Sequence, residues 1–115
     1  MQAEVRGIEA NDILNWPHWS PVDATCDLQW FTVTIGPPGE QGADLYQIAV
    51  ATPLGIKKHV SKARFVGLVV DRFEPPVIEQ AIREFVAGSQ ARTWQGVVNL
   101  LRAKMRWEYE GLRQV

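Results

Sequence analysis

The chain has 115 residues, of which 46% are hydrophobic and 22% charged, and its net charge is −1 at pH 7. This length suits one hydrophobic core, so we expect a single domain over residues 1–115. A single cysteine, Cys26, excludes an internal disulfide, no run of about 20 apolar residues predicts a membrane span, and the N-terminus lacks a secretory signal pattern. We therefore expect a cytoplasmic protein with no membrane partner.

The charges are unevenly divided along the chain. Residues 1–56 carry seven carboxylates and only one arginine, whereas residues 57–115 carry eleven lysines and arginines and six carboxylates. If the two parts form separate surfaces, the molecule is polarised and attracts charged partners to one side. If they mix in space, the fields cancel, and the sequence leaves both interpretations open.

The first part of the chain predicts one strand followed by a long loop. Over residues 2–9, Ala3, Val5 and Gly7 alternate with Glu4, Arg6 and Ile8, which is typical of a strand. Residues 10–27 contain two prolines, two tryptophans and five Asn or Asp residues, so they predict a loop with at most one helical turn near Ile13. Loops of this length are uncommon in small domains and are often functional.

Residues 28–51 form the clearest pattern in the chain, a β-hairpin. Apolar side chains alternate with period two over Leu28–Ile35 and Asp44–Ala51, which a helix would not show. The connection at 36–42 is rich in glycine and proline, is too long for a two-residue turn, and lacks the lysine and hydroxyl side chains of a phosphate-binding loop. Glu40 is its one charged residue, so the hairpin has an acidic tip.

The second part of the chain changes from strand to helix periodicity. A lysine-rich connector over 54–62 precedes a fourth strand at about 64–72, Pro75 then opens an amphipathic helix, and Thr93 caps a second one. The tail at 106–110 alternates like a strand yet could also finish the second helix. Strands followed by helices predict an α+β fold, an antiparallel sheet of about four strands with two C-terminal helices packed on one face.

The sequence contains no recognisable catalytic or metal site. His18, Cys26 and Asp27 are close in sequence, but no nucleophile motif surrounds them, and an unreactive cysteine is favoured. His18 and His59 are far apart and no CxxC or HxxxH spacing occurs, so we expect no metal and no cofactor. The favoured interpretation is a protein that is not an enzyme, and a small enzyme that uses the Cys26 and His18 region is kept as an alternative.

Basic residues of the second part provide another alternative, a nucleic-acid-binding module. The pI of about 6.1 is well below the values above about 9 that characterise basic nucleic-acid-binding domains. Few aromatic residues accompany these positions, so a solvated basic face is favoured and no nucleic acid is expected as a partner. The positions concerned are Lys57, Lys58, Lys62, Arg64, Arg72, Arg102, Lys104 and Arg106.

Five tryptophans in so short a chain need separate interpretation. Trp94 lies on the apolar stripe of the second predicted helix, and we expect it in the core together with Trp107. Trp16 and Trp19 lie in a polar, proline-broken loop, where a large ring either closes the edge of the core or projects as a binding anchor. Trp30 is predicted on the sheet face away from the helices.

Several motifs together resemble the immunity protein 8 family of bacterial polymorphic toxin systems. They are the hairpin IGPPGEQGADLYQIAVATP, the strand FVGLVVDRFE, the helices IEQAIREFVAG and TWQGVVNLL, and the closing WEYE. With the opening MQAEVRGIEANDI, the resemblance covers nearly the whole chain. One departure is Gln95-Gly96, where the family pattern usually has acidic residues.

The resemblance implies a small cytoplasmic α+β protein without catalysis, which binds a cognate toxin domain and neutralises it. A nuclease is one candidate toxin, because its substrate demands a basic surface, and the chain itself is expected as a monomer or weak homodimer. The acidic loops would steer the toxin, and the two loop tryptophans would anchor it. The candidate toxin-binding residues are Asp12, Trp16, Trp19, Asp23, Asp27, Glu40 and Asp44.

Overall fold

The structure, a computed structural model, describes residues 1–109. Its strands are β1 (Glu4–Ala10), β2 (Leu28–Gly36), β3 (Asp44–Ala51), β4 (Val66–Val69) and β5 (Arg106–Trp107). Its α-helices are α1 (Pro53–Lys58), α2 (Pro75–Gly88) and α3 (Trp94–Leu101), and short 3-10 helices cover Trp16–His18 and Val60–Phe65.

The sheet is organised around β3. β1, β2 and β3 follow one another as antiparallel neighbours, and the β2/β3 ladder runs without interruption over eight residue pairs. The other edge of β3 is shared, since β4 pairs with 49–51 in parallel and β5 pairs with 46–47 antiparallel. The predicted α+β fold is confirmed, and the parallel β4 is accommodated because residues 52–65 form the crossover that such a pair requires.

One face of the sheet forms the core with α2 and α3. On β2 and β3, the side chains that alternate toward this face are completely buried, as the hairpin pattern predicts. The apolar stripes of α2 and α3 cover them, so both C-terminal helices pack on the same face. The buried residues are Phe31, Val33, Ile35, Tyr46, Ile48 and Val50 from the sheet and Ile78, Ile82, Val86, Val97 and Leu101 from the helices.

The C-terminal helices begin at their predicted positions. Thr93 accepts a hydrogen bond from the N–H of Gly96 at 3.0 Å, and Pro75 occupies the first turn of α2. Met105, expected on the stripe of the last helix, lies beyond the end of α3 but is still buried. The ambiguous tail is a strand at Arg106–Trp107, and residue 110 lies outside the described residues.

The lysine-rich connector differs from the prediction because it is helical. Thr52 accepts a hydrogen bond from the N–H of Gly55 at 3.1 Å, and Pro53 occupies the first position of α1. A 3-10 helix then continues to Phe65 and shortens the predicted fourth strand to Val66–Val69. The Thr-Pro pair is the signal for this helix start, since threonine is a favoured cap and proline is favoured at the first helical position.

Thr52 also joins the crossover to the start of β2. Its side chain is fully buried, its N–H donates to the carbonyl of Asp27 at 3.1 Å, and its Oγ1 accepts from the N–H of Asp27 at 3.2 Å. Gly55 lies directly against the same carbonyl, and a Cβ on Gly55 would overlap the Asp27 backbone. This position therefore requires glycine because of close packing.

Replacement of Gly55 by alanine is expected to lower the free energy of unfolding by about 1–3 kcal/mol, because the backbone of Asp27 must move to admit the methyl group. Gly88→Ala is the matched control, since nothing lies within 4 Å of a Cβ at that position. Urea denaturation of the two variants measures the difference. Equal denaturation midpoints would contradict the close packing at Gly55.

Candidate partner-binding surface

Residues 11–27, here called the tryptophan loop, are held against the core by their two aromatic side chains. The ring of Trp16 meets Phe31 edge to face at 4.8 Å between centroids, and Trp19 meets Phe73 in the same way at 5.9 Å. Trp16 is only 4% exposed, so its ring supports the loop from below and offers almost no contact area to a partner. Trp19 is half-buried and stacks beside Trp16 at 5.9 Å.

Hydrogen bonds fix both ends of the tryptophan loop to neighbouring segments. At its start, the N–H of Asn11 donates to the carbonyl of Trp30 at 2.9 Å, and the hydroxyl of Thr32 donates to Oδ1 of Asn11 at 2.7 Å. Near its end, the carbonyl of Ala24 accepts from the N–H of Phe73 at 2.6 Å. The loop is therefore long but has a defined shape, set by contacts with the sheet and with the segment before α2.

Two aliphatic side chains project from the tryptophan loop into solvent. Leu14 is 95% exposed and Val22 is completely exposed, and each is close in sequence to an exposed carboxylate, Asp12 or Asp23. Sequence reasoning concentrated on the tryptophans and missed these two residues. The available signal was an aliphatic side chain in a polar segment without any periodicity, where no core position is predicted.

A depression of about 390 Å³ lies beside Leu14. The last residues of β1 form one side and the tryptophan loop forms the other, with Ile8, Ala10, Ile13 and Trp16 among the lining side chains. The surface around Leu14 thus combines a projecting side chain with a mainly apolar recess. Such a combination is suited to contact with another protein.

Asp23 is exposed and negatively charged at neutral pH. The hydroxyl of Thr25 donates to its Oδ1 at 2.6 Å and the N–H of Thr25 at 2.9 Å, and these two bonds hold the pKa of Asp23 below its usual value. Arg72 and Lys58 act on it in the same direction more weakly. Two basic residues of the second part of the chain therefore lie near Asp23, so the two charge groups are not fully separated in space.

Asp27, another predicted contact residue, serves the protein's own structure. Its Oδ1 accepts from the N–H of Leu28 at 2.8 Å and from the side-chain amide of Gln29 at 3.1 Å. Its carboxylate is half-buried at the start of β2. This arrangement favours a role in shaping the strand start.

The hairpin tip, residues 37–43, is shaped by an arginine from a neighbouring strand. Arg6 is the extra residue of a bulge in β1, and its guanidinium donates to the carbonyls of Pro37 at 2.6 Å, Gln41 at 3.0 Å and also Glu40. The side chain of Glu40 is exposed. Glu40 is thus presented on a loop whose backbone is fixed from below.

Asp44 is half-buried at the start of β3 and accepts from the indole N–H of Trp107 at 3.2 Å. Neighbouring Tyr46 is fully buried, and its burial raises the pKa of the phenol well above the usual range, with Asp44 and Glu108 adding to the effect. Tyr46 therefore remains neutral. Asp44 therefore helps to hold Trp107 at this end of the sheet.

The seven predicted contact residues lie at two separate ends of the sheet. Asp12, Trp16, Trp19, Asp23 and Asp27 are at the end where β2 begins, and Glu40 and Asp44 are at the end where it finishes. Nine residues of β2 separate the two ends, about 26 Å at the usual rise per residue. The first five residues therefore lie at one end of the sheet, and the other two lie at the opposite end.

The part of the chain that the structure describes shows no metal centre. Within residues 1–109, no three His, Cys, Asp or Glu side chains are grouped as metal ligands would be. Cys26 is a half-buried free thiol, and no hydrogen bond joins it to His18 in this region. Over the same residues, no helix has both the length and the apolar character needed to cross a bilayer.

The fold and this surface define a small α+β domain that presents a firmly held acidic loop with exposed aliphatic side chains. A sequence model of the family described as Immunity protein 8 matches residues 3–112, and the chain belongs to that family. The resemblance carried by the hairpin and helix motifs is thereby confirmed. Comparisons with curated proteins and with solved structures gave no match.

Trp16→Ala is expected to lower the free energy of unfolding by about 3–5 kcal/mol, because it removes a buried ring that contacts Phe31. Leu14→Ala, two residues away and exposed, is the matched control and should change it by less than about 0.5 kcal/mol. Denaturant unfolding measures both. If both variants lowered the free energy of unfolding by the same small amount, Trp16 would not stabilise the loop.

Proposed function

We propose that this protein is an immunity protein that binds the toxic domain of a cognate polymorphic toxin and neutralises it in the cytoplasm of the producing cell. Membership of the Immunity protein 8 family supports the immunity role. The observation that carries the binding mode is the pair of fully solvent-exposed aliphatic side chains, Leu14 and Val22, on a loop fixed to the core. Inhibition proceeds by occupation of a toxin surface, without catalysis.

Some residues of the tryptophan loop contact the toxin, and others hold the loop in place. Leu14 and Val22 enter apolar recesses of the toxin, and Asp12 and Asp23 surround them with negative charge. Trp16 and Trp19 hold the loop in place, so their importance for binding is indirect. A standard interface buries roughly 800 Å² on each partner, which requires neighbouring surface in addition to this loop.

The toxin surface that fits this loop is apolar at its centre and basic around it. A nuclease toxin would have such basic residues, because it must hold the phosphate backbone of its substrate. An immunity protein that covers these residues blocks substrate binding directly. Contact-dependent delivery of the toxin between neighbouring bacteria would explain why the producing cell needs this protein in its cytoplasm.

Coexpression with the C-terminal domain of a polymorphic toxin, sought among the genes next to this one, tests the proposal. The wild-type protein should restore growth to cells that produce the domain and should purify with it as a complex of defined stoichiometry. Leu14→Ser/Val22→Ser should accelerate dissociation about tenfold or more, since most interface substitutions act on the dissociation rate. Leu100→Ser, at a 43% exposed position on α3, is the control and should leave dissociation unchanged.

Growth arrest despite expression of the folded wild-type protein, with no complex formed, would overturn the proposal. If protection and complex formation occur but the Leu14→Ser/Val22→Ser variant dissociates like wild type, the immunity function stands and the tryptophan loop is excluded as the central contact. Thermal unfolding of each variant confirms that the substitutions have left the fold intact.

Asp12→Asn/Asp23→Asn is expected to slow association with the toxin severalfold at low salt and to flatten its salt dependence, because exposed carboxylates act mainly on the encounter rate. At physiological ionic strength, Glu40→Gln should have the smaller effect, since the hairpin tip lies roughly 26 Å from this loop and the Debye length is then about 8 Å. Stopped-flow measurements over a salt series compare the variants. An unchanged association rate for the double variant would refute the steering role.

A further inference from the structure

The sheet face opposite α2 and α3 carries a second surface feature, here called the basic groove. It is an open cavity of about 660 Å³ between the 3-10 helix at 60–65, the middle of β3 and the turn that joins α3 to β5. Its lining includes Trp30, Gln47, Lys62, Phe65, Arg102 and Arg106. These residues come from four separate segments of the chain, so the groove is a product of the fold.

An aromatic pair forms the apolar part of the basic groove. Trp30 precedes the buried Phe31 on β2 and therefore points to the other face of the sheet, as the strand pattern predicts. Its ring lies 6.2 Å from the ring of Phe65, which is 47% exposed. The guanidinium of Arg64 lies over Phe65 at 4.7 Å from the ring centre. The pair thus offers apolar surface directly beside a positive charge.

Three exposed cations, Lys62, Arg64 and Arg106, lie around this aromatic pair. None of them forms an ion pair within residues 1–109. Of the residues that the structure describes, no Asp or Glu lines the groove. Like charges held close together repel each other, so an anionic occupant gains attraction from several of them at once.

The wall that carries Arg106 is held in place by close packing at Gly67. A Cβ on Gly67 would overlap the carbonyl of Lys104 and would lie 2.9 Å from Cγ1 of Ile48. The turn between α3 and β5 therefore rests directly on β4. The distance between the Lys62 side and the Arg106 side of the groove is set by this contact and by the pairing of Arg106 with Gln47.

The positive area is short, which decides between possible occupants. Across the open sheet face, Glu9 is paired with Thr32, Thr32 with Gln47, and Gln47 with Arg106, so the row ends in a carboxylate on the β1 side. A nucleic acid backbone that continues across the sheet would meet Glu9. A second copy related by a two-fold axis through this face would bring the same cations opposite each other.

We propose that the basic groove binds an extended acidic segment of a partner protein. An apolar side chain of the segment packs on Trp30 and Phe65, its carboxylates pair with Lys62 and Arg106, and Gln47 is placed to hydrogen-bond its backbone. Successive side chains of an extended segment point to opposite sides, so acidic residues that alternate with apolar ones match this arrangement. The surface is distinct from the tryptophan loop and goes beyond the proposed toxin contact.

A labelled peptide of about ten residues in which glutamate alternates with leucine is a suitable probe. Fluorescence anisotropy should show that wild-type protein binds it at least about tenfold more tightly than the same peptide with glutamine in place of glutamate. In ¹⁵N-labelled protein, the peptide should shift the indole N–H signal of Trp30 and leave that of Trp16, on the other sheet face, in place. The toxin is absent from this experiment, so its result is independent of the proposed immunity function.

Lys62→Glu/Arg106→Glu should weaken peptide binding about tenfold or more, and Phe65→Ser should weaken it without any change in charge. Lys57→Glu/Arg92→Glu is the charge-matched control, with both residues exposed and outside the groove, and should bind within about twofold of wild type. Equal loss in the control and the groove variant, or no shift at Trp30, would overturn the proposal. So would tighter, Lys62-dependent binding of a ten-nucleotide oligothymidylate, which would assign the groove to nucleic acid.

Discussion

The structure depends on an aromatic cluster centred on Phe31. This ring is fully buried between Trp16 at 4.8 Å and Phe73 at 6.3 Å, and Trp19 closes the cluster from the outer side. The rings come from the sheet, from the tryptophan loop and from the segment before α2, so a single buried surface positions all three. Because edge-to-face contacts fix orientation as well as distance, a loop with only one short turn of 3-10 helix still has a defined shape.

This cluster explains why the large aromatic side chains of the tryptophan loop are not its most exposed ones. The large rings face inward and provide stability, whereas the outward positions beside them carry smaller aliphatic and acidic side chains. The two charge groups of the sequence do not form two hemispheres. Asp23 lies near Arg72 and Lys58, and Glu9 shares a cross-strand row with Arg106, so charges of both signs occur close together in at least these two places.

Hydrophobic periodicity and helix-capping residues predicted the positions of strands and helices. Strand pairing and the burial of loop side chains depend on tertiary contacts, and the sequence left them open. β3 at Asp44–Ala51 and the start of α3 after Thr93 follow from local patterns that the sheet and core reinforce. The pairing of β4 with β3 in parallel depends on the crossover, which local patterns do not show. The side chains exposed on the tryptophan loop were harder to predict than the strands and helices. Trp16 is buried against Phe31, a residue distant in sequence, whereas Leu14 of the same loop is exposed, and no local rule ranks the two side chains.

Arg6 gives the hairpin tip a property that bears on how the protein can evolve. Its guanidinium binds three main-chain carbonyls, which every amino acid possesses, and the glycines at 36 and 39 supply the close approach and the positive φ that the path requires. Arg6 binds only the main-chain carbonyls of Glu40 and Gln41, so their exposed side chains take no part in this contact. Substitutions at these two positions can change the side chains that the tip presents while the path of its backbone stays the same, so this surface can diverge between relatives without a change of fold.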